Sequence, residues 1–98
     1  MDPELSNILS KLRQLLPLLS ERYKVQTLGV FGSYVRQEQQ ADSDLDILVT
    51  FSQIPSLLKF IELEYYLSDA FGVKVDLVMK DALKPAIGKQ ILKEVMLV

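Results

Sequence analysis

The chain has no cysteine and no histidine. The first absence removes any disulfide framework and any thiolate metal site. The two together remove the ligands that zinc favours. No apolar run approaches the ~18 residues of a membrane span, and the opening MDPELSN is acidic, without the layout of a secretory leader. Positive charge is also scarce. Eleven Lys and Arg stand against 13 Asp and Glu, giving a formal net charge of -2. A general nucleic-acid surface is usually strongly basic. These absences speak for a cytoplasmic protein and against membrane or general nucleic-acid partners.

What remains is ordinary globular material: 49% hydrophobic and 24% charged residues over 98 positions. That length reads as one domain, residues 1–98. It can bury roughly 60–68% of the surface its unfolded chain exposes, an adequate but not generous core. No repeat, low-complexity segment or linker interrupts it.

Asp2-Pro3-Glu4 has the layout of a helix start, with an N-cap, a proline at the first helical position and an acid near the positive dipole end. Leu5, Ile8, Leu9, Leu12, Leu15, Leu16 and Leu19 follow at helical spacing. Core packing explains this stripe better than a partner-binding face. Pro17 is expected to kink or end the helix, and Glu21 to Lys24 reads as a polar connection. Val25 to Phe31 reads as a strand whose Gly29 marks a bulge or a close backbone approach. Pro55 suits the first position of a second long helix ending at Gly72, with Leu58, Ile61 and Tyr65, and also Leu57 and Ser68, turned inward. Tyr65 and Tyr66, being adjacent, cannot both face the core. Val73 to Met79 alternates as a strand, Ala82 to Lys93 reads as a helix with Pro85 in its first turn, and Val95 to Val98 as an edge strand. Lys80, Lys84, Lys89 and Lys93 form a solvated basic face, and Gly88-Lys89 lacks the remaining residues of a P-loop.

The chemistry lies between Leu28 and Thr50, LGVFGSYVRQEQQADSDLDILVT. Gly32-Ser33 ends the first strand and opens a short helix or turn. Glycine permits close backbone approach, and Ser33 adds a hydroxyl to the amides of the turn. Asp44-Leu45-Asp46 opens the next strand. Residues two apart on a strand share a face, so Asp44 and Asp46 project together, while Leu45, Ile47, Val49 and Phe51 take the core face. Paired carboxylates repel unless a cation lies between them or one holds a proton. The helical crossover from Phe51 to Val73 makes strands two and three parallel. The short return from strand one to strand two suits an antiparallel pair. Gly32, Ser33, Asp44, Asp46 and Asp76 then converge at one sheet edge. Asp76 alone reads as a salt-bridge partner, for Lys74 on the same face; with the other two carboxylates present it reads as the third acid of a triad. Arg36 is open among a phosphate contact, neutralisation of the carboxylates and simple solvation. A site of carboxylates and water suits Mg²⁺, or Mn²⁺.

Gly32-Ser33, Arg36 and Ser43-Asp44-Leu45-Asp46, with Asp76 as third acid, resemble the signature of the polymerase-beta-like nucleotidyltransferase superfamily. Within it the chain is similar to minimal nucleotidyltransferases, which pair with helical HEPN-domain proteins in toxin–antitoxin modules. The resemblance implies an α/β (α+β) fold, a small mixed β-sheet with helices packed on it. It implies transfer of AMP from ATP to a protein hydroxyl, with a tyrosine of the HEPN partner as acceptor. It further implies that Asp44, Asp46 and Asp76 are catalytic and hold two Mg²⁺ ions, and that Gly32, Ser33 and Arg36 bind the nucleotide. The chain departs from the family at Gln37, where glycine is frequent, and at Val35, where the residue is usually small. That departure bears on the tightness of the turn. A binding module that neutralises its partner by masking is the rival reading. Transfer to an antibiotic or to RNA is a weaker third, since no added substrate domain or basic groove is present.

Overall fold

A computed structural model describes residues 5–98. The expected helix start at Asp2-Pro3-Glu4 lies outside the described residues. In chain order the elements are α1 (Leu5–Tyr23), β1 (Val25–Phe31), α2 (Ser33–Arg36), β2 (Leu45–Phe51), α3 (Leu57–Phe71), β3 (Val75–Met79), a 3₁₀ turn (Lys80–Ala82), α4 (Pro85–Glu94) and β4 (Met96–Leu97). The strands form one mixed sheet in the order β3-β2-β1-β4. As the connection lengths predict, β1 and β2 are antiparallel and β2 and β3 parallel. The C-terminal strand β4 lies antiparallel to β1 at the edge. Gly29 is what admits it: a Cβ there would lie 2.7 Å from Val95 Cγ2 and 2.9 Å from Leu97 Cδ2. Of the two readings of Gly29, close approach is the one the structure takes. Among the described residues no helix is long and apolar enough to cross a membrane.

The leucine stripe of α1 packs as expected. Ile8, Leu12 and Leu19 are buried, with Leu5, Leu9, Leu15 and Leu16 partly so. Two expectations for this helix need correction. It does not end at Pro17 but continues to Tyr23. Pro17 is exposed, so the carbonyl left without its helical donor faces water, while Leu12 and Leu19 anchor the helix on either side. The segment from Glu21 is therefore its last turn, with Tyr23 buried, and the chain reverses at Lys24 in a left-handed conformation, φ 63°.

Helix α3 differs more. Its cap is Ser56, whose hydroxyl accepts from Lys59 N–H, so Pro55 precedes the helix rather than opening it. The buried residues are Leu63 and Leu67, with Phe60, Tyr66 and Phe71 packed beside them. Leu57, Leu58 and Tyr65 are exposed at 74%, 80% and 69%, and Ile61 is only marginally covered, the reverse of the expected face. The helix carries apolar residues on both sides, and the aromatic side wins. Phe60 meets Phe51 and Tyr66 meets Tyr23, with ring centroids 6.3 and 6.4 Å apart. Tyr66 is thus the inward member of the tyrosine pair. Ser68 does turn inward: its hydroxyl accepts from Val75 N–H at 3.0 Å, and Glu64 Oε2 accepts from Leu77 N–H at 2.9 Å. β3 is an edge strand, and these two side chains satisfy outward-facing amides on both sides of Asp76.

Candidate active site

The β1 strand ends at Phe31, which pairs with Asp46 of β2, and Asp46 pairs in turn with Asp76 of β3. Gly32 follows with φ 82° and ψ -150°, a conformation that favours glycine. A Cβ at this position would collide with the Asp46 carboxylate oxygen. Glycine is therefore required twice here, by the backbone angles and by the acid packed against it. Helix α2 then carries Ser33 and Arg36, with Tyr34 buried beneath. Gln37 closes the turn at φ 57°. That left-handed angle is one glycine adopts freely, so Gln37 keeps the turn tight at a small conformational cost.

Of the three acids, the structure brings Asp46 and Asp76 into direct register, with Asp44 at the entrance to β2. The half-buried Asp46 has its pKa raised to about 6, chiefly by burial, then by the charges of Asp76 and Asp44; Arg36 acts in the opposite direction. This is an excess of negative potential that a bound cation would relieve. Lys74 does not pair with Asp76. It stands 3.9 Å from Asp44, with the lysine largely exposed and the acid partly so, so this contact contributes little. Among the described residues no three acids are drawn together tightly enough to enclose a metal by themselves. The oxygen-only donor set still fits Mg²⁺ or Mn²⁺, since Mg²⁺ commonly keeps several waters and takes only one or two protein carboxylates alongside substrate phosphates.

A cleft of about 270 Å³ opens beside Asp46, lined by Phe31, Gly32, Arg36, Gln90 and Glu94 among others. Glu94 was not among the sequence candidates, yet its carboxylate accepts from Gly32 N–H at 2.8 Å and from Arg36 Nη1 at 3.1 Å. The Arg36 Nε donates to Glu38 at 3.2 Å. Hydrogen bonds to Glu38 and Glu94 raise the Arg36 pKa further, so its charge is permanent. One signal for Glu94 was available in the sequence. An acid in the last turn of a helix opposes the dipole and needs an external partner. Glu38 and Glu64 offered no comparable signal.

Phe31, Asp46 and Asp76 stand in one row across the sheet beside the glycine-serine turn, within the fold of a nucleotidyltransferase. The chain belongs to the nucleotidyltransferase domain family, which it matches over residues 12–98. It is similar to the protein adenylyltransferase MntA of Thermococcus cleftensis, with 61% identity over 80 residues covering 82% of this chain and 81% of that protein. Its fold superposes on a solved minimal nucleotidyltransferase with a TM-score of 0.79 at 34% identity, covering 96% of this chain and 95% of that one. A solved toxin–antitoxin complex with AMP-PNP matches with a TM-score of 0.72 at 27% identity, covering 87% of this chain and 69% of that one.

Proposed function

We propose that this nucleotidyltransferase transfers AMP from ATP to a hydroxyl of a protein partner. The acceptor is a tyrosine of a helical HEPN-domain protein, and the chain acts as the antitoxin that silences it. The observation that carries this reading is Asp46 facing Asp76 across β2 and β3, against the Gly32 turn. The names of its relatives agree with it: MntA is a protein adenylyltransferase, and the AMP-PNP complex is a toxin–antitoxin pair.

In this reading Asp44, Asp46 and Asp76 would hold divalent metal, two Mg²⁺ ions with Mn²⁺ as a substitute. Bound metal supplies neutralisation of triphosphate charge and a lowered pKa at the attacking hydroxyl. Ser33 and Arg36 hold the phosphates, and Gly32 lets the turn approach Asp46. The acceptor oxygen forms a bond to the α-phosphorus as the bond to pyrophosphate breaks. The hydroxyl proton passes to Asp76, the exposed member of the pair. The cleft beside Asp46 is open, and in this reading a partner subunit completes the site around base and acceptor. The exposed apolar face of α3 is the kind of surface a protein partner covers. In this reading the reaction takes place in the cytoplasm, where ATP is available.

The test is intact-mass measurement of the helical partner after incubation with this chain, Mg²⁺ and each nucleoside triphosphate in turn. An increment of one adenylyl group per modified site, with ATP alone, is expected. No increment with any triphosphate would overturn the proposal.

A further inference from the structure

Glu94 is the last residue of α4, where its charge opposes the helix dipole. It is nevertheless mostly covered, its side chain 23% exposed. Three hydrogen bonds hold it there, from Gly32 N–H at 2.8 Å and from Arg36 Nη1 to both carboxylate oxygens at 3.1 Å. One acid thus spans both ends of α2: the glycine whose backbone packs on Asp46, and the arginine one turn on. Glu38 fixes the guanidinium from its Nε side at 3.2 Å. With Nε and Nη1 committed, the plane of the guanidinium is set. Nη2 is left to donate, since no hydrogen bond from it is formed among the described residues.

We infer that Glu94 is a positioning residue for nucleotidyl transfer, clamping the Gly32 amide and the Arg36 guanidinium so that the Nη2 edge of Arg36 is presented to the triphosphate. This rests on the reading that Arg36 binds phosphate. The Gly32 N–H is then a structural donor to Glu94, and the phosphates are taken by Ser33 and Arg36. Without the clamp, Arg36 sits on a four-residue helix with an exposed side chain, and each binding event must order it anew. The clamp also ties the C-terminal helix to the turn, so α4 contributes to the site without touching the reacting atoms.

The experiment compares wild type with Glu94→Ala, Glu94→Gln and the neighbouring exposed control Lys93→Gln. The readouts are KM for Mg·ATP, KM for the acceptor protein, kcat, Tm and the Arg36 Nε–H signal in ¹⁵N–¹H spectra. Glu94→Ala is expected to raise KM for Mg·ATP by about tenfold, the scale of a charge-assisted hydrogen bond, and leave KM for the acceptor unchanged. Glutamine keeps an acceptor oxygen and is expected to recover part of the loss. The Arg36 Nε–H signal, assigned by its disappearance in Arg36→Lys, should be sharp in wild type and broadened in Glu94→Ala. An unchanged KM for Mg·ATP with only a lowered Tm would overturn the inference, as a merely structural role. A lowered KM would also overturn it, because Glu94 would then be obstructing phosphate. A wild-type protein that transfers nothing would count against the proposed function instead, and the Arg36 signal would still decide whether the clamp exists.

Discussion

Asp46 and Asp76 stand opposite each other in the parallel pairing of β2 and β3, and the charge of Asp76 helps to raise the Asp46 pKa while Arg36 acts against it. Directly opposed like charges destabilise a sheet. In the proposed reading, a bound cation relieves this repulsion at the end of an otherwise well-buried sheet.

The first consequence is a pH dependence of the metal-free protein. The folded pKa of Asp46 is raised from 3.8 to about 6. Its contribution to stability is therefore fully present below the unfolded value and lost as pH rises through the folded one. Stability is expected to fall between about pH 4 and pH 7 from this group. With solvent screening at a half-buried site, the loss is about 1 kcal/mol, roughly 4–8 °C in Tm for a domain of this size. Thermal melts of wild type and Asp46→Asn across that range check it. The variant should lack this component and melt higher at pH 7 without metal. Added Mg²⁺ should raise the wild-type Tm and leave the variant unmoved. Equal pH slopes would refute the electrostatic account.

Gly32 gives a second prediction. Gly32→Ala places a methyl group against the Asp46 carboxylate in a backbone conformation that disfavours it. Either the turn or the acid must move. A displacement on the order of 1 Å in a catalytic group costs about 10²-fold. A loss of that size in kcat is expected, with the fold retained by circular dichroism. Activity within a few-fold of wild type would show that Asp46 tolerates the shift.

The two sides of α3 give a third. Leu63→Ala removes a fully buried side chain and is expected to cost about 2–5 kcal/mol. Leu58→Ala, on the exposed side, should stay within about 0.5 kcal/mol. Urea titrations of both variants measure the difference. Comparable losses would mean that α3 packs by the face its apolar spacing first implies.

Much of this structure was legible because its signals are local and periodic. The alternation in Val73 to Met79, the spacing of Asp44 and Asp46, and the connection lengths were enough to order the first three strands and to bring the acids to one edge. The inward face of α3 was not legible, because that helix offers two apolar stripes. The choice between them depends on Phe51 and Tyr23, which are distant in sequence. Whether the helix would end at Pro17 was not legible, because the cost of a proline depends on whether its orphaned carbonyl meets water, and only the packing of α1 decides that. The partners of Glu64 and Glu94 were hidden for the same reason. Each is an ordinary surface acid until a strand amide or a glycine turn is folded against it.

The most direct measurement of the central claim compares wild type with Asp44→Asn for two properties of the helical partner, its covalent modification in the presence of Mg·ATP and the inhibition of its activity. If the acids at the sheet edge perform nucleotidyl transfer, the wild type modifies and silences the partner, and the variant does neither while still folding. A variant that silences the partner as fully as wild type, with no adenylyl group found in either case, would contradict the account and leave masking as what this chain does.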